Sequence, residues 1–401
     1  MPQYKILTGN YAVAYGVKLS KPQVIAAYPI TPQTTIVEKL SEFIEKGELK
    51  AKMLRVESEH SAIAAVIGAA LAGARTFTAT SSQGLLYMHE GVWMASGARL
   101  PIVMAIVTRA IFPPWNIWTD HGDLLDQRDT GWIICMVEDN QEALDMIIQA
   151  YKIAEDERVL LPVMVGLDSF ILSHTATPVE VPDEDIIDSY LPAPGENIHY
   201  PKISFENPLT YFNLVFPDNY MEFRYQIQEA MNRAKRVVME ADMKYYKLVG
   251  RRYGGLIETY RCTDANIVVV SMGALTGDVK EAVDRLRDEG YNVGALKLRF
   301  IRPFPEEELK KELLHKKLVI VIDRAISFGK GGILYTEISS ALYEGRFREI
   351  PVIRGYVTGL GGRDITVDDV ITMVERLITR LESGTLTHGW EWFKLRKEVV
   401  E

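Results

Sequence analysis

Cysteine is nearly missing from this chain: Cys135 and Cys262 are the two among 401 residues. Two thiols so far apart in sequence cannot by themselves build a four-cysteine zinc site or hold an iron–sulfur cluster. The seven histidines form no HExxH motif and no His-rich tract, so no metal site is expected on this chain. No apolar run approaches the roughly 18 residues that a membrane-spanning helix needs. The opening "MPQYKILTGN" lacks the basic start and apolar core of a secretory signal. A cytoplasmic protein without a membrane partner is the expectation, and in that compartment no disulfide is expected. Net charge is −9 with the basic residues scattered, which argues against a nucleic-acid partner, since phosphate neutralisation wants a basic face.

What is present is ordinary globular composition, 47% hydrophobic and 25% charged, in a chain longer than one core usually serves. Short apolar strands alternate with helical patterns, the α/β signature of parallel sheets. Strands are predicted at Val24–Tyr28, Met53–Val56, Thr76–Thr80, Pro101–Thr108 and Val159–Gly166. The helix after the first strand carries Ile36, Val37, Leu40, Phe43 and Ile44 on one face. From Thr175 to about Asp218 the sequence is rich in Pro, Asp and Asn and reads as a connecting arm packed on a surface; a long helix follows, roughly Tyr220–Leu248. A second series starts at Asn266, with strands Ile267–Met272, Val293–Leu298, Leu318–Ile322 and Pro351–Val357, the loop "GLGGRD" and a helix Val367–Leu381. The division expected is 1–174, an α/β domain; 175–260, arm and long helix; 261–385, a second α/β domain; and 386–401, a tail.

The segment Arg109 to Trp132 has no clear period, yet Trp115, Trp118 and Trp132 argue against disorder. A loop of that length in a compact domain reads as functional. Polar residues also gather just past the predicted strands: Thr31, Glu59, Ser81-Ser82-Gln83 and Arg109. Open parallel sheets bind ligands at that end. Thr31, in "YPITP", also reads as a helix N-cap with Pro32 at the first helical position.

The stretches "YPITP", "VESEHSA", "TFTATSSQGLLYMHE", "IVTRAI", "QRDTGW" and "GLGGRD", in this order, resemble the α subunit of the multi-subunit 2-oxoacid:ferredoxin oxidoreductases, of which pyruvate:ferredoxin oxidoreductase is the best known. The similarity runs from about Gly9 to Leu381. It implies a thiamine-diphosphate pyrimidine-binding domain followed by a transketolase C-terminal-like domain, two parallel-sheet domains in all. It also implies oxidative decarboxylation of a 2-oxoacid with coenzyme A to acyl-CoA and carbon dioxide, electrons passing to ferredoxin. Pyruvate is the favoured substrate and 2-oxoisovalerate the next. Mg2+ and the 4Fe–4S clusters would lie on β, γ and δ partner subunits.

By the same resemblance Glu59 hydrogen-bonds N1′ of the aminopyrimidine, Arg109 takes the substrate carboxylate, and the Thr31 hydroxyl faces the reacting carbon. Pro29 and Ile30 lie against the cofactor. A guanidinium suits a carboxylate because its planar fork can offer two parallel hydrogen bonds. Read from residue type alone, Glu59 is a first-turn acid favoured by the helix dipole, Glu57 is its rival, and Arg109 is a strand-end arginine. Arg128 could close over the site, though Asp126 and Asp129 beside it suggest a structural ion pair. Trp115 and Trp118 form either an apolar wall above the site or a packing contact. "GLGGRD" lacks dinucleotide spacing and reads as a tight turn. Two other readings stay open: another thiamine enzyme component, of the 2-oxoacid dehydrogenase or transketolase type, or a scaffold subunit that kept the fold without the chemistry.

Overall fold

The computed structural model describes residues 3–194, 202–206, 208–344 and 350–399. Its first strands are β1 (Gln3–Thr8), β2 (Val24–Ala27), β3 (Lys52–Arg55), β4 (Thr76–Thr80), β5 (Val103–Thr108), β6 (Ile133–Met136), β7 (Val163–Asp168) and β8 (Ala176–Val181). They are followed by β9 (Ile257–Tyr260), β10 (Ile267–Ser271), β11 (Val293–Leu298), β12 (Phe300–Arg302), β13 (Leu318–Asp323), β14 (Val352–Val357) and β15 (Gly389–Trp392). One sheet has the order β12-β6-β7-β5-β4-β2-β3 and the other β15-β14-β13-β10-β11-β9. Both are parallel except at one edge, where β12 and β9 run antiparallel to their neighbours. The anticipated pair of parallel-sheet α/β units is what the chain forms.

The central strands β4, β5, β7, β10, β11 and β13 are buried along their whole length. That is why they read as apolar runs rather than alternations: helices cover both faces. Successive side chains still part to opposite faces. Val103, Ala105 and Val107 enter the outer core of the first sheet, while Met104 and Ile106 enter a second cluster. Val268 and Val270 of β10 enter that same second cluster, and Ile267 and Val269 face the far side. The two sheets therefore share one hydrophobic cluster between them.

Three features depart from the expected outline. β1 and the helix Gly9–Ser20 precede the first anticipated strand. The arm is not all connection: Val179 and Val181 are buried as β8 pairs antiparallel with β1, and a helix Glu184–Tyr190 follows. Finally β12, encoded within the second series, joins the first sheet beside β6. The long helix, Pro217–Val249, has Pro at its start and buries Ala230, Ala234, Val237, Val238, Ala241 and Tyr245 against the first sheet's outer core. Those spacings of three and four put one stripe inward. No described helix is long and apolar enough to cross a membrane.

Charges lock the two halves beside the shared cluster. Lys297 and Arg299 of the second half reach Glu142 of the first at 2.6 and 2.7 Å, all three buried. Burial alone would raise the Glu142 carboxyl, but the two cations overcome it and hold the group at about 2. A depressed folded value means the stabilisation is complete above the ordinary value of 4.5 and is lost as pH falls toward 2. Removing one partner of a buried pair costs about 3 kcal/mol. Lys297→Met is accordingly expected to lower the thermal melting point by several degrees at neutral pH and to shrink the loss of stability between pH 4.5 and 2; unchanged melting would refute the lock.

Candidate active site at the carboxyl ends of the first sheet

β5, β4, β2 and β3 are sheet neighbours and parallel, so their carboxyl ends open on one edge. After β2 the chain turns through Thr31–Gln33, and the helix begins only at Thr34, with Gln33 as its N-cap residue. Thr31 is therefore not the cap, and Pro32 is not the first helical residue. The turn is held from other elements instead. Buried Gln33 donates from Nε2 to the Ala79 carbonyl at 2.9 Å, and Asn10 Nδ2 donates to the Pro32 carbonyl at 2.7 Å. With those anchors in place, the Thr31 hydroxyl has no partner among the described residues and stands exposed beside exposed Pro29 and half-buried Ile30.

Arg109 leaves β5 only 3% exposed. Its Nη1 donates to the Thr31 carbonyl at 2.7 Å and its Nε to the Asn116 carbonyl at 3.1 Å. Nη2 has no partner among the described residues. Burial draws the guanidinium down from its ordinary value, with Asp123 pulling the other way; an arginine so placed stays charged. Asp123, fully buried, accepts the Arg109 amide at 3.0 Å and the Ser82 amide at 2.7 Å on one oxygen. It thus ties the ends of β4 and β5 together. Burial pushes its carboxyl up to about 7 against those hydrogen bonds. Ser82 is held in the left-handed region, φ 50°, with its hydroxyl donating to the Ala110 carbonyl at 2.6 Å. A lone aspartate in an aperiodic loop carried no signal for this role in the sequence.

Glu59 heads the helix Glu59–Leu71, whose cap is Ser58, accepting the Ser61 amide at 3.1 Å. Its side chain is 9% exposed and lies against the end of β4. A Cβ on Gly84 would stand 2.7 Å from Glu59 Oε1 and 2.6 Å from Thr80 Oγ1, so only glycine leaves room for the carboxylate. The Glu59 carboxylate makes no hydrogen bond to Thr31, Arg109 or any other described residue. Glu57 is exposed and hydrogen-bonded to the Ser61 hydroxyl. The structure thus brings Arg109 and Thr31 into contact and sets Glu59 apart, one strand end away.

The other loop residues resolve differently from the expected pairs. Arg128 pairs with Glu337 of the second half at 3.3 Å, not with Asp126 or Asp129, because the end of the loop turns onto the helix Ile333–Tyr343. Asp129 lies 3.6 Å from Arg302. Trp118 stacks near Phe170, ring centres 6.2 Å apart, and Trp115 is 76% exposed. Among the described residues no group of three His, Cys, Asp or Glu is arranged to hold a metal ion.

A largely buried carboxylate with no protein partner, a glycine that leaves it space, and the unpartnered Thr80 hydroxyl beside it form a cradle that fits a ligand with a hydrogen-bond donor edge, as an aminopyrimidine has. Residues 15–243 match the family described as pyruvate flavodoxin/ferredoxin oxidoreductase, thiamine diphosphate-binding, and 265–370 match pyruvate:ferredoxin oxidoreductase core domain II. These define a thiamine-type oxidoreductase subunit. The pyruvate synthase subunit PorA of Pyrococcus furiosus is 48% identical over the full length of both chains. The ketoisovalerate oxidoreductase subunit VorA of Pyrococcus horikoshii is also 48% identical, over 99% of each. A solved 2-oxoglutarate:ferredoxin oxidoreductase from Magnetococcus marinus superposes at TM-score 0.70 and 22% identity, covering 93% of this chain and 65% of that one. A split-gene transketolase gives 0.52 at 14% identity, covering 93% and 98%, a likeness of fold alone. The chain belongs to the α-subunit family of the 2-oxoacid:ferredoxin oxidoreductases.

Because the Thr31 hydroxyl caps nothing, Thr31→Ala is expected to leave the melting temperature unchanged. Loss of a true cap would cost about 1 kcal/mol, and a drop of that size would restore the capping role.

Proposed function

We propose that this chain carries the substrate-carboxylate and cofactor-pyrimidine side of a thiamine-diphosphate-dependent 2-oxoacid:ferredoxin oxidoreductase. The reaction is oxidative decarboxylation with coenzyme A to acyl-CoA and carbon dioxide, the electrons going to ferredoxin. The observation that carries the reading is Arg109, a buried cation fastened to the Thr31 carbonyl with Nη2 free, beside an unpartnered Thr31 hydroxyl. That pair suits a carboxylate and the adjoining keto oxygen of a 2-oxoacid. Arg109 is held in place before binding, so little of its side-chain freedom is lost when a substrate arrives.

Bound thiamine diphosphate would supply the carbanion chemistry that decarboxylation needs. Glu59 would hold a proton at the pyrimidine ring nitrogen, and Pro29 and Ile30 would bound the ring through backbone and apolar contact. Relatives named for pyruvate and for ketoisovalerate are equally similar, so both are candidate substrates, with pyruvate placed first and 2-oxoisovalerate next.

The β, γ and δ subunits would complete the assembly, carrying Mg2+ and the 4Fe–4S clusters and passing electrons to ferredoxin in the cytoplasm. Phe205, Leu214, Phe216, Met221 and Tyr225 stand exposed near the start of the long helix, the kind of apolar surface that marks protein contact. As working units we retain 1–174, 175–260, 261–385 and 386–401.

The test is anaerobic, on the assembled complex: coenzyme-A-dependent reduction of a low-potential viologen with pyruvate and, separately, 2-oxoisovalerate. Activity with either is expected, and the ratio of kcat/KM values names the substrate. An intact complex without thiamine diphosphate would overturn the reading. Arg109→Lys should raise the 2-oxoacid KM about 10- to 100-fold, as one charge-assisted hydrogen bond from Nη2 is worth. Glu59→Gln should lower kcat by about 10²- to 10⁴-fold, with cluster absorbance intact and cofactor binding weakened in direct titration.

A further inference from the structure

The "GLGGRD" turn meets the first half at the loop that supports Arg109. Asn116 Nδ2 donates to the Gly361 carbonyl at 3.0 Å, and its Oδ1 accepts the Trp118 amide at 2.8 Å. The Gly362 amide donates to the Thr119 carbonyl at 2.8 Å. One bond further in, the Asn116 carbonyl receives Arg109 Nε at 3.1 Å. The contact leaves no room for a side chain at either glycine of the turn. A Cβ on Gly361 would stand 2.7 Å from Asn116 Nδ2, and one on Gly362 would stand 2.3 Å from Trp118 Cβ. Both glycines also sit at positive φ, 61° and 79°.

We propose that Asn116 and the Leu360–Gly362 turn are positioning elements for the substrate arginine, so that the second half sets 2-oxoacid affinity without touching the substrate. The idea rests on the role proposed above for Arg109. The side chain of Asn116 fixes where its own carbonyl lies, and that carbonyl fixes the guanidinium plane about Nε. The Thr31 carbonyl holds the other side at Nη1, so the two acceptors together aim Nη2 outward. Loosening one leaves the charge in place but blurs its direction. A carboxylate contact depends on that direction.

The experiment uses the assembled complex and three variants: Asn116→Ala, Gly361→Ala and the pair combined. Readouts are kcat, the KM for 2-oxoacid, the KM for coenzyme A, the melting temperature, and the inhibition constant of oxamate, an unreactive analogue with the same carboxylate. Asn116→Ala keeps the backbone carbonyl and so isolates positioning. Both single variants should raise the 2-oxoacid KM and the oxamate constant about tenfold while kcat and the coenzyme A KM change less than about twofold. The double variant should bind the 2-oxoacid and oxamate no worse than Asn116→Ala, because the clash acts through that side chain, while the strain of alanine at φ 61° adds only a lower melting temperature.

Arg109→Ala serves as the control. If it leaves both carboxylate constants unmoved, the role of Arg109 itself fails. If it raises them while Asn116→Ala and Gly361→Ala do not, the positioning inference alone fails. A uniform decline of every parameter together with the melting temperature would make the contact merely structural and would also overturn it.

Discussion

Much of the arrangement hangs from one buried carboxylate at the end of β7. Asp168 accepts the Thr119 hydroxyl at 2.7 Å, lies 2.9 Å from His121 Nε2, accepts the Ala274 amide at 2.8 Å, and has Arg324 at 3.5 Å. Two of those partners belong to the loop that returns from Arg109, and two belong to the second sheet's unit. Burial alone would raise Asp168, yet His121, Arg324 and the Thr119 hydroxyl together hold it well below the ordinary carboxylate range. An ion this well satisfied is rigid, because losing any partner leaves charge exposed to a low dielectric. The loop that holds Arg109 and the seating of the second unit are therefore one structural decision.

Hydrophobic burial and charge divide the labour of joining the halves. Each aliphatic side chain in the shared cluster contributes about 1.5–3 kcal/mol on burial, and the cluster draws on both sheets. The Glu142–Lys297–Arg299 network sits near break-even as a source of net stability, since desolvation opposes attraction. The apolar cluster therefore supplies the cohesion. The ion pairs contribute direction: sliding one sheet against the other would keep apolar contacts but strand a buried charge. That matters for a site whose supporting contacts come from residues as far apart as Asn116 and Gly361.

What sequence could reveal follows from how local each signal is. Buried parallel strands announce themselves as apolar runs, and the polar residues after them fall at one edge once the strands are parallel, so Thr31, Glu59 and Arg109 were legible as strand-end groups. The helix start after "YPITP" was misplaced because capping was judged from neighbours, whereas Gln33 and Asn10 hold that turn through Ala79 and Pro32. Partners chosen by proximity in sequence failed likewise: Arg128 pairs with Glu337, not with an adjacent aspartate. β12 was invisible because three residues carry too little periodicity to declare a strand. Asp123 and Gly84 look like any loop aspartate and helix glycine until the strand ends stand side by side.

One contrast separates the carboxylate assigned to chemistry from those assigned to structure. Asp123, Asp168, Asp323 and Glu142 are all buried, and each accepts at least two hydrogen bonds from the protein. Glu59 is more open, at 9% exposed, and its carboxylate accepts none among the described residues, while Gly84 keeps space open beside it. Folding alone gives no return for such a group, since desolvating an unpaired carboxylate is costly. The exposed Thr31 hydroxyl and Arg109 Nη2 likewise have no partner among the described residues. These groups lie on one edge of one sheet, open to partners from outside the chain. The fold pairs its supporting carboxylates internally and leaves these groups free, at the edge where the proposed cofactor and substrate would bind.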